Sequence, residues 1–156
     1  MKTTAQALSY PAYLAVLGLT AGLLAGVTGW VAEVFSFVQA GPAFIFSWFT
    51  SSSWLSTPHA QAAAVLVIAV LSIVVSFIYA YLLAFIQHMF AGILFGAALW
   101  LLVYYGLNPW LTQLHPVPAM HPTTVLSTLS IFILYGLFIG YSIIYENELR
   151  RQQKKA

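Results

Sequence analysis

The sequence predicts an all-α fold, a polytopic membrane protein built as a bundle of four transmembrane helices. Three observations carry this. Of 156 residues, 62% are hydrophobic and 5% are charged, whereas a soluble domain carries about 25% charged residues. The charged side chains are Lys2, Glu33, Glu146, Glu148, Arg150, Arg151, Lys154 and Lys155, so the stretch from Val34 to Tyr145 holds no Asp, Glu, Lys or Arg. Runs such as AAAVLVIAVLSIVV are apolar on every side, whereas strands of a membrane barrel alternate apolar and polar positions over about ten residues.

A helix needs about 20 apolar residues to cross a hydrocarbon layer roughly 30 Å thick. Prolines and polar clusters cut the chain into four segments of that length, at about 12–38, 61–84, 89–108 and 124–145, followed by a short basic tail at 146–156. Together they form one integral membrane domain. Pro11, Pro42, Pro58, Pro109, Pro116, Pro118 and Pro122 all fall outside the spans, as expected where proline bounds a helix rather than kinking it.

The first span runs from Pro11 past Trp30, well beyond the roughly 7–15 apolar residues of a cleavable signal, so it reads as a retained span. It carries Gly18, Gly22 and Gly26 as a continuous GxxxGxxxG run. The second span carries Ser72, Ser76, Ala80 and Ala84, the third Gly92 and Gly96, and the fourth Gly136 and Gly140. Lipid tails are as apolar as leucine, so helices associate in a bilayer through close backbone approach, which small residues at four-residue spacing permit. The stripes suit a closely packed monomer first, since contacts within the chain need no partner, with a homodimer or a membrane-protein partner as the alternative.

Positive flanks stay in the cytoplasm. Arg150, Arg151, Lys154 and Lys155 follow the fourth span and Lys2 precedes the first, so both termini are expected inside, which requires an even number of spans. The loop 39–60 and the proline-rich loop 109–123 then face outward, and the turn Ala84 to His88 inward. The outer loop GPAFIFSWFTSSSWLSTPH brings Phe44, Phe46, Trp48, Phe49 and Trp54 to the headgroup zone, and Trp30, Trp100, Tyr104, Tyr105 and Trp110 lie near span ends. An interfacial aromatic belt accounts for them without the ligand that a cation-binding cage requires.

Glu33 is the only carboxyl within a span. Counted from Pro11 at 1.5 Å per residue it lies about 33 Å along the helix, close to the outer boundary. It is a candidate proton or cation site, with a carboxylate hydrogen-bonded to a neighbouring span as the plainer alternative. His59, His115 and His121 fall in the outer segments and are weak metal candidates, since no two stand three or four residues apart on a helix. His88 reads as an interfacial hydrogen-bonding residue. There is no Asp, no GxSxG, no HExxH and no phosphate loop, and no cysteine for a thiolate, disulfide or lipid anchor. An enzyme is not expected, nor a cofactor. The net charge of +2 belongs mostly to the tail, which excludes a nucleic-acid-binding face.

The chain resembles the YqhR-type conserved membrane proteins of Bacillus and related Firmicutes. The resemblance rests on Gly41-Pro42 opening the outer loop, MFAGILFGAALW from Met89, the Leu107 to Pro109 LNP, and LYGLFIGYSIIYE from Leu134 to Glu146. It implies a four-span protein of the inner (cytoplasmic) membrane and brings no catalytic or binding residues with it. Two functions are therefore expected to compete. One is an accessory or scaffolding protein that packs against a partner or itself. The other is a small proton- or cation-coupled transporter or channel using Glu33.

Overall fold

The structure, a computed structural model, describes residues 9–50, 52–83, 88–110 and 115–155. Lys2, which contributes to the expected orientation, and most of the expected inner turn, with Ala84, lie outside the described residues. The chain is all-helical there. It forms α1 (Tyr10–Val34), a 3-10 turn at Pro42–Phe46, the short α2 (Ser52–Leu55), α3 (Pro58–Leu82), α4 (Met89–Leu101) with a π-helical continuation at Leu102–Gly106, and α5 (Pro122–Lys155).

Proline sets the starts. Pro11 lies in the first turn of α1, while Pro58 and Pro122 open α3 and α5, the positions where a missing N–H and a fixed φ cost nothing. Thr57 caps α3, its hydroxyl accepting from the Ala60 N–H at 3.3 Å. Helix α1 ends at Val34 and not near 38 because the chain turns back at once: Ser36 takes φ of 59°, and the N–H groups of Phe37 and Val38 both bond to the Ala32 carbonyl. At the other end of the chain, the basic tail does not leave the bundle as irregular chain, since α5 stays helical through Lys155.

Helices α1, α3 and α5 are long and apolar enough to cross a membrane, and Phe90–Gly106 is a shorter apolar helix. The expected 89–108 span is thus a 13-residue α-helix extended by one wider turn, in which the Leu107 N–H reaches the Leu102 carbonyl at 3.0 Å.

Contacts along the helices give the directions. Gly18 faces Ile73, Gly22 faces Ala69 and Gly26 faces Val65, so α1 and α3 are antiparallel. Gly92 faces Gly136 and Leu137, and Gly96 faces Phe132 and Ile133, so α4 and α5 are antiparallel too. Ser72 meets Tyr135, and Tyr79 meets Gly140, which makes α3 and α5 parallel. The core lies where these pairs join, with Leu14, Leu17 and Ala21 of α1, Tyr79 of α3, and Ile139 and Ile143 of α5 packed together. Leu24, Leu66, Leu94 and Leu134 lie outside it, 59–68% exposed, as lipid-facing positions require.

Candidate functional site

The two glycine seams bring the backbones of paired helices into close contact. A side chain at Gly22 would stand 2.6 Å from the Ala69 Cα, and one at Gly18 at 2.6 Å from both the Ser72 carbonyl oxygen and the Ile73 Cα. In the second seam, a Cβ at Gly92 would meet the Gly136 carbonyl oxygen at 2.8 Å, and Gly96 leaves room for the Phe132 carbonyl. Gly140 accommodates the Tyr79 hydroxyl, at 2.6 Å from where its Cβ would be. All seven stripe glycines therefore touch helices of their own chain. Such approach supplies dispersion contacts that bulkier residues would hold apart.

Polar groups inside the bundle tie the seams together. The Ser76 hydroxyl donates to the Leu14 carbonyl at 2.7 Å, and Ser72 Oγ pairs with the Tyr135 hydroxyl at 2.5 Å. Tyr13 donates to the Ser142 carbonyl at 3.0 Å. The Trp100 indole N–H donates to Thr128 Oγ1 at 3.0 Å. Trp100 and Tyr104, expected in the aromatic belt, are instead buried between α4 and α5 with stacked rings 5.0 Å apart. The indole has a partner away from water, so position near a span end did not decide its place. Tyr105 and Trp110 remain exposed, as a belt requires.

Glu33 sits in the last turn of α1, half-buried, with its carboxylate packed on Gly41 and taking a hydrogen bond from the Gly41 backbone. Gly41 is buried, and a Cβ there would collide with that carboxylate and lie 2.9 Å from Gln61 Nε2. Gln61, in the first turn of α3, is 3% exposed. Its Oε1 accepts from the Ala43 N–H at 2.9 Å and its Nε2 donates to the Leu55 carbonyl at 3.4 Å. One side chain from each helix end thus holds the outer loop: Glu33 its entry and Gln61 both flanks. Gln61 was not singled out by sequence reading. The available signal was a lone amide one turn into an otherwise apolar helix.

The loop so held presents Trp48, Phe49 and Trp54 outward, at 57%, 77% and 43% exposure. Phe46, Phe49, Thr50 and Trp54 line a shallow groove there. The expected histidines do not converge. His59, His115 and His121 are all exposed, and among the described residues no three His, Cys, Asp or Glu side chains come together as a metal site. At the opposite end, Arg150 pairs with Glu146 at 2.7 Å and lies over the Tyr10 ring at 5.4 Å, joining the start of α1 to the end of α5. Arg150 is therefore a helix length away from Glu33.

A family model described as conserved membrane protein YqhR matches residues 1–156. The uncharacterized protein YqhR of Bacillus subtilis (strain 168) is 34% identical over 141 residues, which are 90% of this chain and 79% of that protein. No solved structure matches.

Proposed function

Because the chain belongs to the YqhR family of conserved membrane proteins, we propose that it is an accessory or scaffolding protein of the bacterial cell membrane. It engages a membrane-protein partner, or a second copy, through its outer aromatic loop. The observation that carries this reading is the use of both glycine seams within the chain. The seams fill the bundle axis with backbone contacts and with Leu14, Leu17, Tyr79, Ile139 and Ile143, while the exposed aromatic side chains are displayed on a loop anchored by Gln61. A rigid scaffold with one anchored display loop suits docking better than alternating access, which needs one half of a bundle to rock against the other around a central site.

The same proposal includes four crossings with both termini in the cytoplasm. The parallel run of α3 and α5 supports it. If both cross, the chain between them has to return, and the apolar Phe90–Gly106 helix is the segment available. The basic residues after α5 set the direction.

A transporter reading draws on one observation, the half-buried Glu33 beside Gln61. One variant tests the proposal against it. The chain has no cysteine, so Phe49→Cys offers a single thiol on the exposed loop. That thiol is expected to react with an impermeant maleimide added outside intact cells, and a thiol-to-amine cross-linker is expected to give one discrete protein adduct. No outside labelling, or a proton or cation flux in proteoliposomes that disappears in Glu33→Gln, would overturn the accessory reading.

A further inference from the structure

The two loop segments of the chain meet at one level. Phe44 of the first and Val117 and Met120 of the second pack together on the buried Trp100 and Tyr104, so both stand at the same end of the bundle. The groove lined by Phe46, Phe49, Thr50 and Trp54 lies on a different side of the first segment. There Phe46 packs on the cluster of Leu55, Ala60 and Ala64 at the start of α3. Among the described residues none of 115–121 lines the groove, so the chain's own second segment leaves it open.

The second segment is built as a knob. Asn108 Nδ2 donates to the His115 carbonyl at 3.3 Å, and the Ala119 N–H donates to the Pro116 carbonyl at 2.8 Å, which closes a tight turn over 116–119. Val117 and Met120 are turned inward, while Pro116 and Pro118 are exposed. Pro116 takes φ of −58° and ψ of 140°, close to the polyproline conformation that aromatic grooves recognise. A proline ring has a fixed φ and no N–H to satisfy, so it enters such a groove with little conformational freedom left to lose.

The knob and the groove match in three respects. Both are free of Asp, Glu, Lys and Arg, so neither strands a charge when water leaves. The groove is walled by aromatic rings, with Phe46 and Trp54 5.7 Å apart, and it is shallow, which suits a protruding segment better than a small molecule that a pocket has to enclose. Two copies inserted the same way in one bilayer also hold these segments at the same height, so the knob of one reaches the groove of the other without tilting either bundle.

Resting on the docking reading above, we propose that the groove at Phe46, Phe49 and Trp54 takes the Pro116 and Pro118 knob of a second copy of this chain. The occupant is then a segment of fixed shape, and Trp54 is its principal contact, since tryptophan in a water-excluded groove carries much of the energy of an interface.

Single-cysteine chains with two different tags test this in native membranes, since the natural chain has no cysteine. Thr50→Cys keeps the aromatic walls of the groove and Ala119→Cys keeps both prolines. Co-expressed and mildly oxidised, the two are expected to give a mixed-tag disulfide dimer at least about fivefold above the self-dimers of either variant, the weight of one anchoring side chain. Trp54→Ala in the Thr50→Cys chain is expected to bring the mixed dimer down to the level of the self-dimers. Phe35→Ala, exposed but outside the groove, is expected to keep it. A mixed dimer no more abundant than the self-dimers, or one that Trp54→Ala leaves unchanged, would overturn the proposal. If Phe49→Cys then still gives its adduct with a different protein, the choice of occupant alone is wrong; if it gives neither adduct nor outside labelling, the docking reading fails with it.

Discussion

Gly136→Ile is expected to destabilise the protein by about 3 kcal/mol or more, the upper end for forcing a larger side chain into a packed site. The Cβ would stand 2.6 Å from the Gly96 nitrogen and 2.7 Å from its Cα. Those atoms are backbone, so relief requires α4 and α5 to separate along their length. Separation would also strain the Trp100 to Thr128 bond at the same interface. The unfolding midpoint in detergent should fall by about 10 °C on that cost. Leu134→Ile is the control, since Leu134 is on the same helix but 65% exposed. Equal midpoints for Gly136→Ile and wild type would mean that the seam is not closed as described.

Gln61→Leu is expected to loosen the outer loop more than the bundle. The substitution keeps side-chain bulk while removing both hydrogen bonds, and it strands the N–H of Ala43, which is 1% exposed. A buried donor left without a partner costs about 1–3 kcal/mol. Because the α1–α3 seam runs on past Gly22 and Ala69 to Gly18 and Ile73, about three turns from Gln61, the loss should stay local. Hydrogen exchange resolves this: amides of residues 41–49 should exchange about 5–150 times faster, the equivalent of that cost, while those around Ser72 and Ser76 keep their protection. Wild-type protection of the Ala43 amide in the variant would show that Gln61 does not hold the loop.

The parts of this architecture legible in the sequence are those set by local chemistry. Proline positions located the helix starts, because a residue lacking an N–H fits the first turn of α3 and α5 and little else. Four-residue spacing marked Gly18, Gly22, Gly26, Gly92, Gly96, Gly136 and Gly140 as close-approach positions, since small residues at that period let helix backbones meet in lipid and the pattern recurs in several spans. Which stripe meets which was not legible. The spacing of Gly92 and Gly136 suits a second chain as well as this one, and the choice is made by α4 and α5 lying antiparallel with their glycines at one level.

The candidate site was harder to read for the same reason. Glu33 was conspicuous as a lone carboxyl, but its surroundings depend on the turn at Ser36, which carries Gly41 back onto the end of α1. That turn has no glycine or proline at its centre to announce it, and the apolar run across it imitates helix to residue 38. Trp100 misled in the opposite sense. Its place near a span end suggested the interface, and only the Thr128 hydroxyl, 28 residues on, explains why it is buried.

Closure of the glycine seams within one chain is tested by Gly26→Cys/Val65→Cys in this otherwise cysteine-free protein. A Cβ at Gly26 lies 3.1 Å from Val65 Cγ1 and 3.3 Å from its Cα, within the span of a disulfide, whose Cβ atoms are about 3.8 Å apart. Mild oxidation in native membranes is predicted to give an intrachain disulfide that runs as a monomer, with Gly26→Cys alone giving no cross-linked species. Dimers joined through Cys at position 26 in the single variant would show instead that α1 presents its glycine face to a second chain.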